Sequence, residues 1–418
     1  MSESRLRRAW WWWNDLSSRP FMMAIYSLVL GLLVGAVLII VTTPEVLTAW
    51  RGTFDSLDGI GHSLNVSLTN IGDAYRAIFV GSIFDPAQLW HSLSTGHAWG
   101  STLAPIANTI NDAVPLVIVS IACGIGFEAG LFNIGANGQA IVGAIAGTAV
   151  GSMIHLPMFL LLPFALVTAI VAGAATGMIP GLLKAYAGAH EVIVTLMFNY
   201  VANFLLIYVV LSTPLEQPGN SSGISRTLEH GAQLVPLIGN TGGTYISVAV
   251  FISLAVVVAA WWFLDWSSLG FDFKVTGANI RAARASGISA RTITISAFLI
   301  SGGLAGLAGF VYVASQLPYS ISSNTLQGNA GIGFMAITIS LLGRNRPLGI
   351  LFASLLFGAL FTGGTYMTST TNISGWLATI IQYVIVLFIA TPGLVQTFFR
   401  IHGTKLRGVQ ISSAGWGA

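Results

Sequence analysis

Apolar runs of membrane length recur along this chain, separated by short polar stretches. That is the pattern of helices crossing a bilayer, because a span of roughly 20 apolar residues matches the hydrocarbon thickness. The runs predict spans at 21–43, 103–124, 139–154, 157–183, 191–211, 244–264, 293–315, 331–342, 348–365 and 376–392. The expected fold is therefore an all-α polytopic integral membrane protein of about ten transmembrane helices. One membrane domain spans 21–392, between an N-terminal segment (1–20) and a tail (393–418). Two places break the pattern. Residues 124–139, GIGFEAGLFNIGANGQ, interrupt a helix with glycines and polar groups, and the 331–342 run is short enough for a half-helix or re-entrant segment.

Between the first and second spans lies a polar segment, 44–100. Inside it Leu64, Leu68, Ile71, Tyr75 and Ile78 recur at helical spacing, with Asn65, Asp73 and Arg76 on other faces. This predicts an amphipathic helix, lying on the membrane surface or packed tightly outside it. Glycines recur four residues apart at 143, 147 and 151, at 173, 177 and 181, and at 302 and 306. Such spacing lets helix backbones approach closely.

Composition narrows the function. Hydrophobic residues make up 54% of the 418, and mean hydropathy is +0.79, so spans and short loops consume the chain and no soluble catalytic domain fits beside them. The sequence holds no GxxxxGK[ST] loop, no HExxH, no paired-cysteine motif and no nucleophile–base pair. An enzyme is not expected, and neither a metal site nor a nucleic-acid partner. Cys123 is the only cysteine, which excludes a disulfide within the chain. The run 21–43 is long for a signal-peptide core and reads as a retained span, with Trp10–Trp13 suited to an interfacial belt.

Charge sets the orientation. Ten spans place both termini on one side. That side then holds 14 of the 17 Lys and Arg residues, against Arg51, Arg76 and Arg226 on the other. Basic residues gather on the cytoplasmic side, so both termini and the segment 271–292 are expected there. Charge is scarce within the spans, where Asp112 stands early in one, Glu128 in the interruption and Glu191 at a helix start. An ion-coupled secondary transporter usually needs more intramembrane charge, though it stays open as the alternative class.

The segment 271–292, FDFKVTGANIRAARASGISART, carries five charged residues in 22, in a chain that is 7% charged. Asn279 can cap a helix N-terminus and Gly287 sits where a left-handed C-terminal cap falls. Residues 280–286 then make about two turns, roughly 10 Å long. One reading is a basic loop that fixes topology. The other is a short docking helix presenting Arg281 and Arg284 to another protein. The interruption offers Asn133, Asn137 and Gln139, and the 191–211 span offers Phe198, Asn199, Tyr200 and Asn203. These could contact a polar solute, or could cap broken helix ends and bond neighbouring helices.

Three ordered motifs carry a resemblance: AGLFNIGANGQ (129–139), HEVIVTLMFNYVAN (190–203) and VTGANIRAARASGI (275–288). They resemble permease subunits of bacterial ABC importers of the branched-chain amino acid/simple sugar/nucleoside superfamily, with the second motif most similar to the nucleoside branch. The resemblance covers roughly 100–395. It implies half of the pathway of an importer in the bacterial plasma membrane, taking up a nucleoside or, alternatively, a simple sugar or branched-chain amino acid. The implied partners are a cytoplasmic ABC ATPase that binds ATP and Mg, a second permease (identical or paralogous) and an extracytoplasmic solute-binding protein. This chain itself would need no cofactor, and lipid surrounds it. By the same resemblance 271–292 is the coupling segment, with Gly277, Asn279, Ala282, Ala283 and Gly287 on the motif and Arg281 and Arg284 able to pair with acidic groups of the ATPase. The pattern departs at Ile280, where proline is common, at His190, where asparagine is usual, and at Asn137, where glutamate often stands.

Overall fold

The computed structural model describes residues 20–52, 59–97, 99–212, 214–219, 223–234, 236–237, 246–326, 331–371 and 373–391. The 1–19 and 392–418 segments, with their expected cytoplasmic placement, lie outside these. The helices are α1 (Pro20–Thr42), α2 (Pro44–Arg51), α3 (Gly59–Ser82), α4 (Pro86–Thr95), α5 (Trp99–Glu128), α6 (Ala136–Met153), α7 (Met158–Ala187), α8 (Glu191–Ser212), α9 (Ala249–Trp266), α10 (Ser268–Ala278), α11 (Ile280–Ala285), α12 (Ala290–Ser315), α13 (Gly331–Leu342), α14 (Pro347–Thr370) and α15 (Gly375–Ala390). Among the described residues there is no strand, only isolated bridges. A helix occupies each of the ten predicted spans. Seven of them are long and apolar enough to cross a membrane: α1, α5, α7, α8, α9, α12 and α14. Of the others, α6 opens on a polar turn, α13 has 12 residues and α15 has 16.

The chain forms two compact units, residues 1–79 with 363–418, and residues 80–362. In the first, α1 packs on α15 and the Tyr75 hydroxyl donates to the Leu32 carbonyl. Trp50 Nε1 donates to Ser67 Oγ at 2.9 Å, and Ser63 Oγ to the Ala49 carbonyl at 2.8 Å. The buried side chains of α3 are thus small, polar at Ser63 and Ser67 and apolar at Ala74 and Ala77. The first part of the apolar stripe points outward, with Leu64 47% and Leu68 66% exposed, while Ile71, Tyr75 and Ile78 are half-buried. Helical spacing located this helix correctly; Leu64 and Leu68 of its stripe face outward, whereas Tyr75 of the same stripe packs against α1. Small side chains let helices approach closely, while an outward apolar stripe suits contact with lipid.

In the second unit α12 is central, packed on α7, α6 and α5. Most of α5 and α12 is buried, whereas α7, α8 and α9 bury about one residue in four. The glycine spacing explains the closeness. A Cβ on Gly143 of α6 would lie 2.2 Å from Gly306 Cα, and one on Gly306 of α12 would lie 2.3 Å from the Ala169 carbonyl oxygen of α7. Three backbones meet there with no room for a side chain. In a bilayer this contact supplies much of the association energy, because lipid is as apolar as leucine.

The described residues 223–234 between α8 and α9 lie over the end of α12. Leu234 N donates to the Ala314 carbonyl at 2.8 Å and Leu228 N to the Tyr319 carbonyl at 2.9 Å. Ser247 N donates to Asn111 Oδ1 at 3.0 Å, joining this cover to α5. The opposite end of α12 adjoins α11, so cover and charged segment sit at opposite ends of the same unit.

Candidate functional site

The charged segment folds as two short helices joined at Asn279. Ser267 caps α10 by accepting from Gly270 N at 2.9 Å. Asn279 ends α10 in an extended conformation and caps α11, its Oδ1 accepting from Arg281 N at 3.0 Å and Ala282 N at 3.2 Å. Gly287 takes φ +82°, and Ile288 N reaches back to the Ala283 carbonyl at 3.0 Å. That six-to-one bond with a left-handed glycine is a Schellman closure. Both ends expected from the sequence are thus formed by the expected residues.

What α11 presents is narrower than the motif. Ile280, Arg281, Ala282, Arg284 and Ala285 are exposed, and Ala283 is fully buried. Among the described residues neither Arg281 nor Arg284 forms an ion pair. Three other basic groups at this end are engaged. Lys274 Nζ bonds Asp265 Oδ1 at 2.7 Å, Lys184 Nζ bonds Glu191 Oε2 at 2.5 Å, and Arg291 stacks 5.7 Å from the Tyr186 ring centre. An enlarged side chain at Ala283 is therefore expected to disturb packing rather than docking alone.

Gly277 also faces inward. A Cβ there would sit 2.2 Å from the Glu128 carbonyl oxygen, and one on Gly130 would sit 3.0 Å from Gly277 Cα. The end of α10 thus touches the end of α5 backbone to backbone. Lys274 and Arg346 both lie close enough to act on the Glu128 charge. The basic turn after α13 is hence at the same end as α11, as the charge asymmetry required.

The helical interruption is shorter than the polar stretch. Helix α5 continues through 124–128 and α6 begins at 136, leaving 129–135 irregular. Gly124 and Gly126 are helical, and neighbours occupy the space beside them, Ser340 and Ile350 against the first and the Leu131 carbonyl against the second. Within the irregular piece Asn133 is the hub. Its Nδ2 donates to Gln139 Oε1 and Ser301 Oγ, both at 2.8 Å, and its Oδ1 accepts from Gly135 N at 3.1 Å and Gln139 Nε2 at 3.2 Å. Asn199 of α8 donates to the Ile134 carbonyl at 3.0 Å and accepts from Gly138 N at 2.8 Å. Asn137 Oδ1 accepts from Gly333 N at 3.3 Å, which seats the start of α13 on the start of α6. Asn133, Asn137, Gln139 and Asn199 are all buried. In this conformation they hold the broken helix together. Tyr200 is exposed, Phe198 is half-buried, and Asn203 Oδ1 is buried without a partner.

Ser301 completes the Asn133 network from 168 residues away, with no sequence signal to mark it. Replacing Asn133 by Ala leaves Gln139 and Ser301 short of a partner. A buried orphan costs about 1–3 kcal/mol. The expected result is a lower melting temperature in detergent, with half-saturation for solute changed less than about two-fold. A larger shift in half-saturation at unchanged stability would instead place Asn133 against the solute.

Comparison with known proteins bears on the whole arrangement. Residues 105–390 match the family described as branched-chain amino acid transport system / permease component. The chain is 35% identical over 294 residues to the glucose ABC transporter permease protein TsgB13 of Haloferax volcanii, covering 68% of this chain and 76% of that one. It is 31% identical over 317 residues to the guanosine ABC transporter permease protein NupP of Bacillus subtilis, covering 73% and 88%. To the nucleoside ABC transporter permease protein NupB of Lactococcus lactis it is 30% identical over 314 residues, covering 74% and 84%. No solved structure gives a significant match.

Proposed function

Because the chain belongs to the branched-chain amino acid transport system permease family, and is a multi-pass plasma-membrane subunit of an ABC importer, we propose that its solute is a nucleoside. The observation carrying this is the pair of relatives named for guanosine and nucleosides, each matched over nearly three quarters of this chain. The glucose permease relative favours a sugar as the second reading. Glucose and a ribonucleoside both carry a vicinal diol.

Transport is driven from outside this chain. A cytoplasmic ATPase, holding ATP and Mg, grips α11 through acidic groups that pair with Arg281 and Arg284. Movement of α11 reaches the pathway through α10 and the backbone contact at Gly277. A second permease completes the pathway, and an extracytoplasmic binding protein delivers the solute. Competition for uptake tests the solute. In cells that depend on this transporter, excess unlabelled nucleoside is expected to suppress uptake of labelled guanosine, and excess glucose is not. Accumulation of labelled glucose, with no guanosine accumulated, would assign the chain to sugars.

A further inference from the structure

One ionisable group inside the second unit has no part in the sites above. Asp112 lies on α5, 16 residues before its end at Glu128, or about 24 Å along the helix from the coupling end. Its Oδ1 accepts from Gln316 Nε2 at 3.2 Å and its Oδ2 from Thr362 Oγ1 at 2.7 Å. Gln316 stands just past the end of α12, and Thr362 is on α14. Tyr312 of α12 lies close enough to feel the Asp112 charge. Three helices thus converge on one carboxylate at the end of the unit opposite α11.

Asp112 forms no ion pair among the described residues. A carboxylate held within the membrane by neutral donors alone is costly, and such groups mark functional sites by default. Its surroundings are polar and partly open. Asp112, Tyr312, Gln316 and Thr362 are all half-buried, while Asn111, Ala113, Val311 and Val313 beside them are buried. An ionised carboxylate has about four acceptor positions on two oxygens. Gln316 and Thr362 fill one on each oxygen, which leaves one on each for a second donor.

We propose that Asp112, oriented by Gln316 and Thr362, binds the vicinal diol of the solute's sugar. Two adjacent hydroxyls present two parallel O–H donors, one for each carboxylate oxygen, and add no charge to the pathway. A charged acceptor makes these bonds stronger than neutral ones. The proposal rests on the solute reading above and can be separated from it, because a ribonucleoside and a free sugar both carry the diol.

The test compares uptake of a labelled ribonucleoside and of its 2′,3′-dideoxy form, at saturating concentration, in wild-type and Asp112→Asn transporters of equal membrane abundance. The variant is expected to slow the ribonucleoside at least ~10-fold and the dideoxy form less than ~2-fold, since loss of a charged acceptor is felt only by the substrate that donates to it. Thr362→Val is expected to act in the same direction and Thr362→Ser to leave both rates near wild type. These two decide the matter if Asp112→Asn accumulates poorly. Equal slowing of both substrates, or of neither, overturns the diol site. If the wild type carries a free aldose such as glucose and no nucleoside, the nucleoside reading fails, and the same comparison between glucose and its 2,4-dideoxy form, which keeps no vicinal diol, decides the diol site.

Discussion

Reversing charge at both Arg281 and Arg284, as R281E with R284E, is expected to reduce uptake more than ~10-fold while the protein remains folded in the membrane. Both guanidinium groups are exposed, and neither pairs with an acid within the described residues. Their loss therefore removes no internal contact. Like charges brought together at an interface cost several kcal/mol, about 10-fold for each 1.4 kcal/mol. Recovery of the ATPase with the permease during purification should fall in parallel. Arg291→Glu is the contrasting control. It breaks the stacking on Tyr186 that ties the start of α12 to the end of α7, so its first effect should be on thermal stability. Normal uptake in the double mutant would return α11 to the role of a basic loop that only sets orientation.

A second large effect is expected at Gly277. An added methyl group would meet the Glu128 carbonyl oxygen at 2.2 Å, and backbone cannot rotate out of the way as a side chain can. Either α10 shifts away from the end of α5, or residues 128–130 are displaced. Both outcomes disturb the mechanical link between α11 and the irregular 129–135 piece, whose hub is Asn133. Gly277→Ala is expected to lower uptake by between about 5- and 150-fold, the range of a coupling of 1–3 kcal/mol between two sites. ATP hydrolysis should continue and lose its dependence on solute-loaded binding protein. The core glycines behave differently. At Gly306 a methyl group meets backbone in the middle of the bundle, so Gly306→Val should lower the amount of folded protein rather than uncouple it.

Periodicity and length located the helices well. A helix stands at each predicted span, and the caps at Asn279 and Gly287 form as their residue types require. Local signals of this kind depend on neighbours within one or two turns, which is why they can be read from the chain. Orientation of side chains toward other helices could not be. On α3 the obvious stripe, Leu64 and Leu68, faces outward and the serines pack. In a membrane an apolar face does not point to the core, since lipid accepts it equally well. The charged segment likewise mixes two kinds of residue, with Arg281 and Arg284 exposed while Ala283 and Gly277 face the bundle.

Polar residues inside spans showed the same limit. Asn133, Gln139 and Asn199 stood out by type, yet their partners decide what they do, and the amides are spent on one another, on Ser301 and on backbone. Asp112 looked like an isolated charge near a helix end. Its partners Gln316 and Thr362 are 204 and 250 residues further along the chain. Nothing in the spacing of α5 could bring them forward.

Uptake by purified components is the most direct test of the account. Vesicles carrying this chain, its second permease and its ATPase, supplied with binding protein and labelled guanosine, should accumulate the nucleoside only when ATP is present on the α11 side. R281E with R284E should abolish that accumulation. Accumulation by this chain alone, driven by an ion gradient and indifferent to ATP, would contradict it.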